Sequence, residues 1–459
     1  MKTLSAYNVN IDAVHSLSGD EITELLKGRK ISSTNSRKST IKTPEDFLSW
    51  LLHTMREGSG AELLVEGKEV TSFIESSFDW EYRMGGNAGN MANALGELGS
   101  EAVVNVPSMS RMQASLFHPL VKVPTFKDGE LTLKSPEETS HGGEDLVHFV
   151  LQFGEGEIVN AHEGTIISPR ENRLIATRDP LNSALCADPA FDAYSKEKIH
   201  EIDGALISGY HLVPSTAADG KSYNEVMDKA LLRQRVWKRR RPDLYIHVEL
   251  GGFESVRIMR HVLQNLTADS IGMNEDELAT LVRSKPGRVG WPDLMGLKDW
   301  KGVWDQRGVS EGGMVLNWKS LLEAARKLRS YLGVRRICVH TRDYIASVID
   351  DLIDPSSEVE ALTYGADVAA ALVSKGLVMK KPEVDDLEVS AAGARATDEF
   401  CRNYGALRVG RGAYAQRGDE ALCIAPSLFA RRPILTVGIG DAMTAATYHR
   451  EVEAILEQS

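Results

Sequence analysis

From about residue 200 the chain alternates short apolar runs with amphipathic stretches, and this rhythm restricts the fold more than any other feature. The runs are GALISGYH (204–211), LYIHVEL (244–250), SIGMN (270–274), RICVHT (336–341) and ILTVGIG (434–440). Apolar residues at helical spacing occupy 254–266, 275–284, 317–331 and 358–375 between them. Repeated strand–helix units predict a parallel sheet covered by helices on both faces. Ligands of such sheets bind beyond the carboxyl ends of the strands. Each run ends in polar or glycine residues: Gly209/His211, His247/Glu249, Asn274, His340/Thr341 and Gly438/Gly440/Asp441. Ionisable groups from distant sequence are therefore expected along one crevice.

The first part of the chain reads differently. Residues 1–14 predict a single strand with a polar end. Thr43 as N-cap, Pro44 at the first position and Glu45 and Asp46 in the first turn open a helix. Phe47, Leu48, Leu51, Leu52 and Met55 form its apolar face, and Gly58 ends it. Residues 83–99 predict a glycine-rich turn running into a helix. Residues 111–180, with alternating stretches such as LVHFVLQF (146–153), predict a small antiparallel sheet. The charge balance of 53 basic and 65 acidic residues, net −12, argues against a dedicated nucleic-acid binder. It leaves room for a local basic pocket facing an anionic substrate. Cys186, Cys338, Cys401 and Cys423 include no CxxC pair and are expected as reduced thiols of a cytoplasmic protein. No run approaches the ~18 apolar residues of a membrane span.

Five motifs carry chemistry. In Val437-Gly438-Ile439-Gly440-Asp441-Ala442, glycines permit a tight turn, and the following helix offers free N–H groups and the positive end of its dipole to an anion. Asp441 can take a proton from an attacking hydroxyl there; taken alone, it reads equally as a helix cap. Gly85-Gly86-Asn87-Ala88-Gly89-Asn90 lets backbone approach a ligand, with Asn87 as donor and acceptor, or is an ordinary turn. Glu249 and the Asn274-Glu275-Asp276-Glu277 stretch supply hard oxygens suited to Mg²⁺. For Asp276 the simpler reading is favourable charge in the first turn of a helix. Asn8, Asn10 and Asp12 alternate onto one side of a strand and suit sugar hydroxyls. Pro169-Arg170-Glu171-Asn172-Arg173, followed by Arg178, offers guanidiniums to phosphate, or is a solvated basic loop.

Taken together, YNVNID, RMGGNAGNMAN, SPRENR, HVELGGF, SIGMNEDEL, VHTRDY and VGIGD resemble the ADP-dependent phosphofructokinase and glucokinase family of the ribokinase-like superfamily. The resemblance runs from Tyr7 to the last helix. It implies an α/β fold with a mostly parallel large domain (1–14, 84–110 and 181–459) and a smaller α+β lid (15–83 and 111–180). It implies Asp441 as catalytic base, with Gly438, Ile439 and Gly440 forming the anion hole. It implies Asn10, Asp12, Gly86 and Asn87 on the sugar, and Arg173, His340 and Val437 on the nucleotide. It also implies Glu249, Asn274, Glu277 and Asp441 around Mg²⁺. The implied reaction moves the β-phosphoryl group of ADP to a sugar and releases AMP. The phosphofructokinase branch looks nearer, with Arg170 and Arg178 as candidates for gripping a sugar phosphate. Glu62 is a candidate for a sugar hydroxyl and so for glucose as a further acceptor. An ADP-dependent glucokinase is the alternative enzyme. A non-catalytic sugar or nucleotide sensor is the alternative of another class, against which the intact Asp441, Glu249 and Glu277 stand. The expected partners are ADP and a sugar or sugar phosphate, without nucleic acid or membrane, in a monomer or small homo-oligomer.

Overall fold

A computed structural model describes residues 1–33, 40–139, 142–216, 220–284, 291–294, 304–305, 315–431, 434–435 and 437–458. Lys2–Ala6 lies inside a twelve-stranded sheet, between Gly204–Ile207 and Glu101–Val104. Parallel pairing is unbroken from Val121–Lys127 through these strands to Tyr245–Glu249, Ser270–Asn274 and Arg336–His340. Ile246, Val248, Ile271, Met273, Ile337 and Val339 are all buried, as a sheet covered on both faces requires. Antiparallel strands complete the edges, Glu130–Lys134 at one and Tyr344–Asp350, Glu420–Pro426, Gly412–Arg417 and Leu407–Val409 at the other.

One of the five runs does not become a strand. Ile434 and Leu435 lie outside the sheet, with backbone N–H groups donating to Val373 O, and Thr436 lies outside the described residues. The sheet position beside Arg336–His340 is filled by Tyr344–Asp350, the strand that follows it directly. An apolar run can pack on a helix as well as pair in a sheet, and this one packs on Pro355–Lys375.

Six further strands form a separate sheet in the order Thr40–Ile41, Ala61–Val65, Asn172–Arg178, Val147–Phe153, Asn10–Leu17 and Glu81–Gly85. The expected antiparallel sheet is in fact mixed. Asn10–Leu17 runs parallel to Val147–Phe153, and Ala61–Val65 parallel to Asn172–Arg178, because long connections separate the members of each pair. The expected single strand over 1–14 is two strands: the chain leaves the large sheet at Ala6 and enters the smaller one at Asn10. Within the range assigned to the lid, 121–134 instead extends the large sheet, since Val121–Lys127 finds its partner in Glu101–Val104.

One face of the smaller sheet is apolar. Ala13, Phe149, Leu151, Leu174 and Ala176 pack against Phe47, Leu48 and Leu51 of the Pro44–Glu57 helix. That helix begins and ends as its sequence dictates: Thr43 accepts from Asp46 N, and Gly58 closes it with a φ of 60°. Strand alternation leaves the opposite face to Arg83, Asp12, His148 and Thr177, one cross-strand row of directly paired residues. Among the described residues, no helix is long and apolar enough to cross a membrane.

Candidate active site

The last helix, Ile439–Gln458, starts directly after Gly438, whose φ of 74° falls in the left-handed region that favours glycine. Asp441 is buried in its first turn, with both carboxylate oxygens engaged. Asn87 Nδ2 donates to Oδ1 at 2.7 Å and Asn90 Nδ2 to Oδ2 at 2.9 Å. The two asparagines stand three residues apart on the Asn87–Glu97 helix and so share a face. Burial raises the Asp441 carboxyl above its ordinary range; the Asn90 and Asn87 amides oppose this, and the charge of Glu249 adds to it.

Asn8 Nδ2 donates to Asn87 Oδ1 at 3.0 Å, tying the end of the first strand to this helix. Gly86, with a φ of 76°, is needed for that approach: a Cβ there would lie 2.5 Å from Asn8 O and 2.7 Å from Asn10 Oδ1. Asn10 is fully buried and donates to Asp12 Oδ1 at 2.7 Å, while its own Oδ1 is buried with no hydrogen-bond partner. Burial pushes Asp12 up to about 6, against the charge of His148 and the Asn10 hydrogen bond; the charges of Asp441 and Glu62 push the same way as burial. The polar face of the smaller sheet is thus within electrostatic reach of Asp441.

Beside Asp12, His148 Nε2 lies 3.1 Å from Asp179 Oδ2. Asn182 N donates to Asp179 Oδ1 at 2.9 Å, and Asn182 Nδ2 donates to Val9 O at 2.9 Å. These contacts clasp the two chain segments that join the sheets. Asn90 closes the glycine-rich motif but carried no expected role, and neither did His148, Asp179 or Asn182. Signals existed for two of them: asparagines at i and i+3 in NAGN, and one histidine inside the apolar stretch LVHFVLQF.

At the strand ends, Glu249 Oε2 lies 3.2 Å from His247 Nε2 and Oε1 lies 3.1 Å from His340 Nε2. Burial alone would raise the Glu249 carboxyl, but the hydrogen bonds and charges of the two histidines bring it down to about 2. Asn274 caps its helix by accepting from Glu277 N at 2.9 Å, and Glu277 accepts in return from Asn274 N and Nδ2, each at 2.9 Å. Burial pushes Glu277 up to about 7; the Asn274 backbone bond opposes this, and the charge of Glu249 adds to it. Asp276 is exposed and fits the simpler helix-end reading. Among the described residues, no group of three or more His, Cys, Asp or Glu encloses a metal position. Two buried carboxylates that repel each other, with an amide oxygen alongside, fit a hydrated hard cation better than a closed cage.

The arginines sort clearly. Arg170 Nε donates to Gly58 O at 2.7 Å and so finishes the Pro44–Glu57 helix. Arg178 alternates away from the Thr177 side, is exposed, and lies 4.0 Å from Glu144. Arg170 is thus committed to a helix end and Arg178 to the other face of its strand, so neither is turned toward the Asp12 row. Arg173 instead lines a cleft of about 730 Å³ on the polar face, with Glu62, Gln152, Asn172 and Ile175. Glu62 accepts from Thr177 Oγ1 at 3.3 Å, while Glu66, its near neighbour, pairs with Lys42 at 2.8 Å. Arg83, directly opposite Asp12, lines a second cavity of about 230 Å³ with Asp12, Asn90, Val437 and Gly438. His340, expected on the nucleotide, is bonded to Glu249, and its ring lies against Gly440, where a Cβ would come 3.5 Å from Cε1.

Residues 1–450 match the ADP-specific phosphofructokinase/glucokinase conserved region. The ADP-dependent glucose/glucosamine kinase of Pyrococcus furiosus is 28% identical, over 97% of this chain and 93% of its own. The ADP-specific phosphofructokinase of Methanosarcina acetivorans is 27% identical, over 96% of this chain and 91% of its own. The solved structure of the last common ancestor of ADP-dependent phosphofructokinases from Methanosarcinales superposes with a TM-score of 0.76 at 25% identity, covering 98% of this chain and 93% of that one. The ribokinase-like sheet, the glycine turn before Asp441 and a match over nearly the whole length agree: the chain belongs to the ADP-specific phosphofructokinase/glucokinase family of sugar kinases.

Proposed function

We propose that this protein transfers the β-phosphoryl group of ADP to fructose 6-phosphate, giving fructose 1,6-bisphosphate and AMP, and that it accepts glucose as a second substrate. The observation that carries the reading is Asp441, held between Asn87 and Asn90 at the start of a helix and facing a polar sheet on which Asn10 Oδ1 is buried without a partner. A sugar hydroxyl would satisfy that oxygen, and a second hydroxyl would meet Asp441.

The chemistry follows from the placement. The acceptor hydroxyl oxygen forms a bond to the β-phosphorus as the bond from that phosphorus to the bridging oxygen breaks, and AMP leaves. The hydroxyl proton passes to Asp441, whose basicity is raised by burial. Backbone N–H groups at Gly438, Ile439 and Gly440, with the helix dipole, face the charge that spreads over the phosphoryl oxygens. Asn10, Asp12, Gly86 and Asn87 hold the sugar, with His148 beside them. Arg173 reaches the nucleotide phosphates from the cleft, while Val437 lines the Arg83 cavity. Glu249, Asn274 and Glu277, with Asp441, would hold Mg²⁺ through water; when bound, the ion neutralises charge on the diphosphate. The smaller sheet acts as a lid that excludes water from this space.

Two features support the choice of sugar. Arg83 is the cation on the Asp12 row and lines the cavity it shares with Asp12, Asn90 and Gly438, a place for the phosphate of fructose 6-phosphate. Glu62, on the same face, supports glucose. Asp441→Asn tests the base. It should lower kcat by about 10²–10⁴-fold with little change in KM, since the proton moves only in the chemical step. An unchanged kcat removes Asp441 from that role.

A further inference from the structure

Beneath Glu249 lies a chain of buried polar groups that the reaction as described does not use. Arg336 is 1% exposed in the middle of the large sheet. Its Nε donates to Glu358 Oε1 at 2.8 Å, and its Nη1 donates to Ser270 Oγ at 3.1 Å. Nη2 stands 2.7 Å from Glu451 Oε1 but off the line of an N–H, so this contact is one of charge. Tyr245 OH holds the other oxygen of Glu451 at 3.1 Å. Ser270 Oγ lies 2.8 Å from His247 Nδ1, and His247 Nε2 lies 3.2 Å from Glu249 Oε2.

The chemistry at each end gives this chain one direction. A guanidinium only donates, so Ser270 Oγ accepts from Arg336. A carboxylate only accepts, so His247 Nε2 carries a proton and donates to Glu249. In a neutral imidazole Nδ1 then accepts, and the Ser270 hydroxyl must donate to it. The serine thereby has its proton and one lone pair assigned, and the ring cannot flip without putting C–H groups where both bonds stand. Glu451, the second anchor of Arg336, lies on the same helix as Asp441, ten residues further on or about 15 Å at 1.5 Å per residue. One buried guanidinium therefore ties together the strand that carries Glu249 and the helix that opens with Asp441.

We propose that Arg336, acting through Ser270 and His247, is a positioning residue that fixes the tautomer of His247 and holds the Glu249 carboxylate in place for a divalent cation. This rests on the reading above that Glu249 faces such a cation. Partners that orient a metal's ligands typically contribute about 10–100-fold to metal affinity.

Ser270→Ala is the sharpest test, because it cuts the branch to Glu249 and leaves the Arg336–Glu358 pair intact. Binding of Mn²⁺ alone, and of Mn²⁺ with ADP, is followed by loss of the free-ion electron paramagnetic resonance signal. The variant should bind about 10–100-fold more weakly than the wild type, and Ser270→Thr, which keeps the hydroxyl, should restore binding. Nitrogen-15 spectra of the imidazoles, with His247 assigned from His247→Gln, should show the Nε2–H tautomer in the wild type and a mixture in Ser270→Ala. Equal Mn²⁺ binding by wild type and Ser270→Ala, or an Nδ1–H ring in the wild type, overturns the relay and leaves the cation reading standing. If the wild type binds no Mn²⁺ in either condition, the cation reading falls first and the relay with it.

Discussion

Gly272→Ala should separate activity from stability. Gly272 lies in the Ser270–Asn274 strand, beside the strand of Glu249. A Cβ at this position would fall 1.9 Å from Glu249 Oε2, 3.0 Å from its Cδ and 2.8 Å from His247 Nε2. The strand backbone accepts alanine, so the effect falls on the His247 ring and, most of all, on the Glu249 carboxylate. It must retreat by roughly 1.5 Å to regain ordinary contact near 3.5 Å. That breaks the bond to His247, and a hydrogen bond to a charged group contributes about 1.5–3 kcal/mol. At 1.36 kcal/mol per decade, a loss of that size corresponds to a weakening of about 10–150-fold. Crowding should lower global stability by about 1–3 kcal/mol at most, since the displaced atoms end a flexible side chain. The assay is initial rate against Mg²⁺ concentration at saturating sugar and ADP, with a thermal melt alongside. The half-saturating Mg²⁺ concentration should rise at least about tenfold, with a melt shifted by only a few degrees. An unchanged Mg²⁺ requirement would show that Glu249 does not need its present position.

Arg83→Gln should raise KM for fructose 6-phosphate by about tenfold or more, the scale of one charge-assisted contact, and leave glucose kinetics unchanged; equal effects on both sugars would place Arg83 outside the phosphate subsite. Glu277 supplies a pH prediction. Its carboxyl is raised from 4.5 to about 7 in the folded protein, so the folded state holds that proton more tightly than the unfolded state does. The stability it contributes is fully present below pH 4.5 and is lost as pH rises towards 7, roughly 3 kcal/mol in all at 1.36 kcal/mol per unit. Glu277→Gln, neutral at every pH, should flatten the dependence of Tm on pH between 4.5 and 7; superimposable curves for variant and wild type would contradict the burial argument.

Local chemistry made part of this molecule readable from sequence. Thr43, Pro44 and Gly58 mark helix ends through caps that need no distant partner, and the helix spans Pro44–Glu57. The turns before Asn87 and Ile439 were legible for the same reason, because a glycine at positive φ leading into a helix is a property of neighbouring residues. Parallel strands showed as continuous apolar runs. What failed depended on partners remote in the chain. ILTVGIG has the composition of a strand, but a neighbouring strand already filled its place. Arg170 sits in a sequence that resembles a phosphate site, yet its guanidinium completes a helix end at Gly58, 112 residues away. Asp179 and His148 are 31 residues apart, and only the register of Val147–Phe153 against Asn172–Arg178 brings them together. Arg336 reads as one of two adjacent arginines at a strand start, and nothing nearby announces that it is buried between Glu358 and Glu451.

The identity of the phosphoryl donor and the destination of its phosphate decide the proposed reaction most directly. Purified protein should be given ADP or ATP, each with fructose 6-phosphate or glucose, at saturating Mg²⁺, with nucleotide and sugar products quantified together. ADP with fructose 6-phosphate should yield AMP and fructose 1,6-bisphosphate in equal amounts. Turnover with ATP but not ADP, or none with fructose 6-phosphate under any condition, would contradict it.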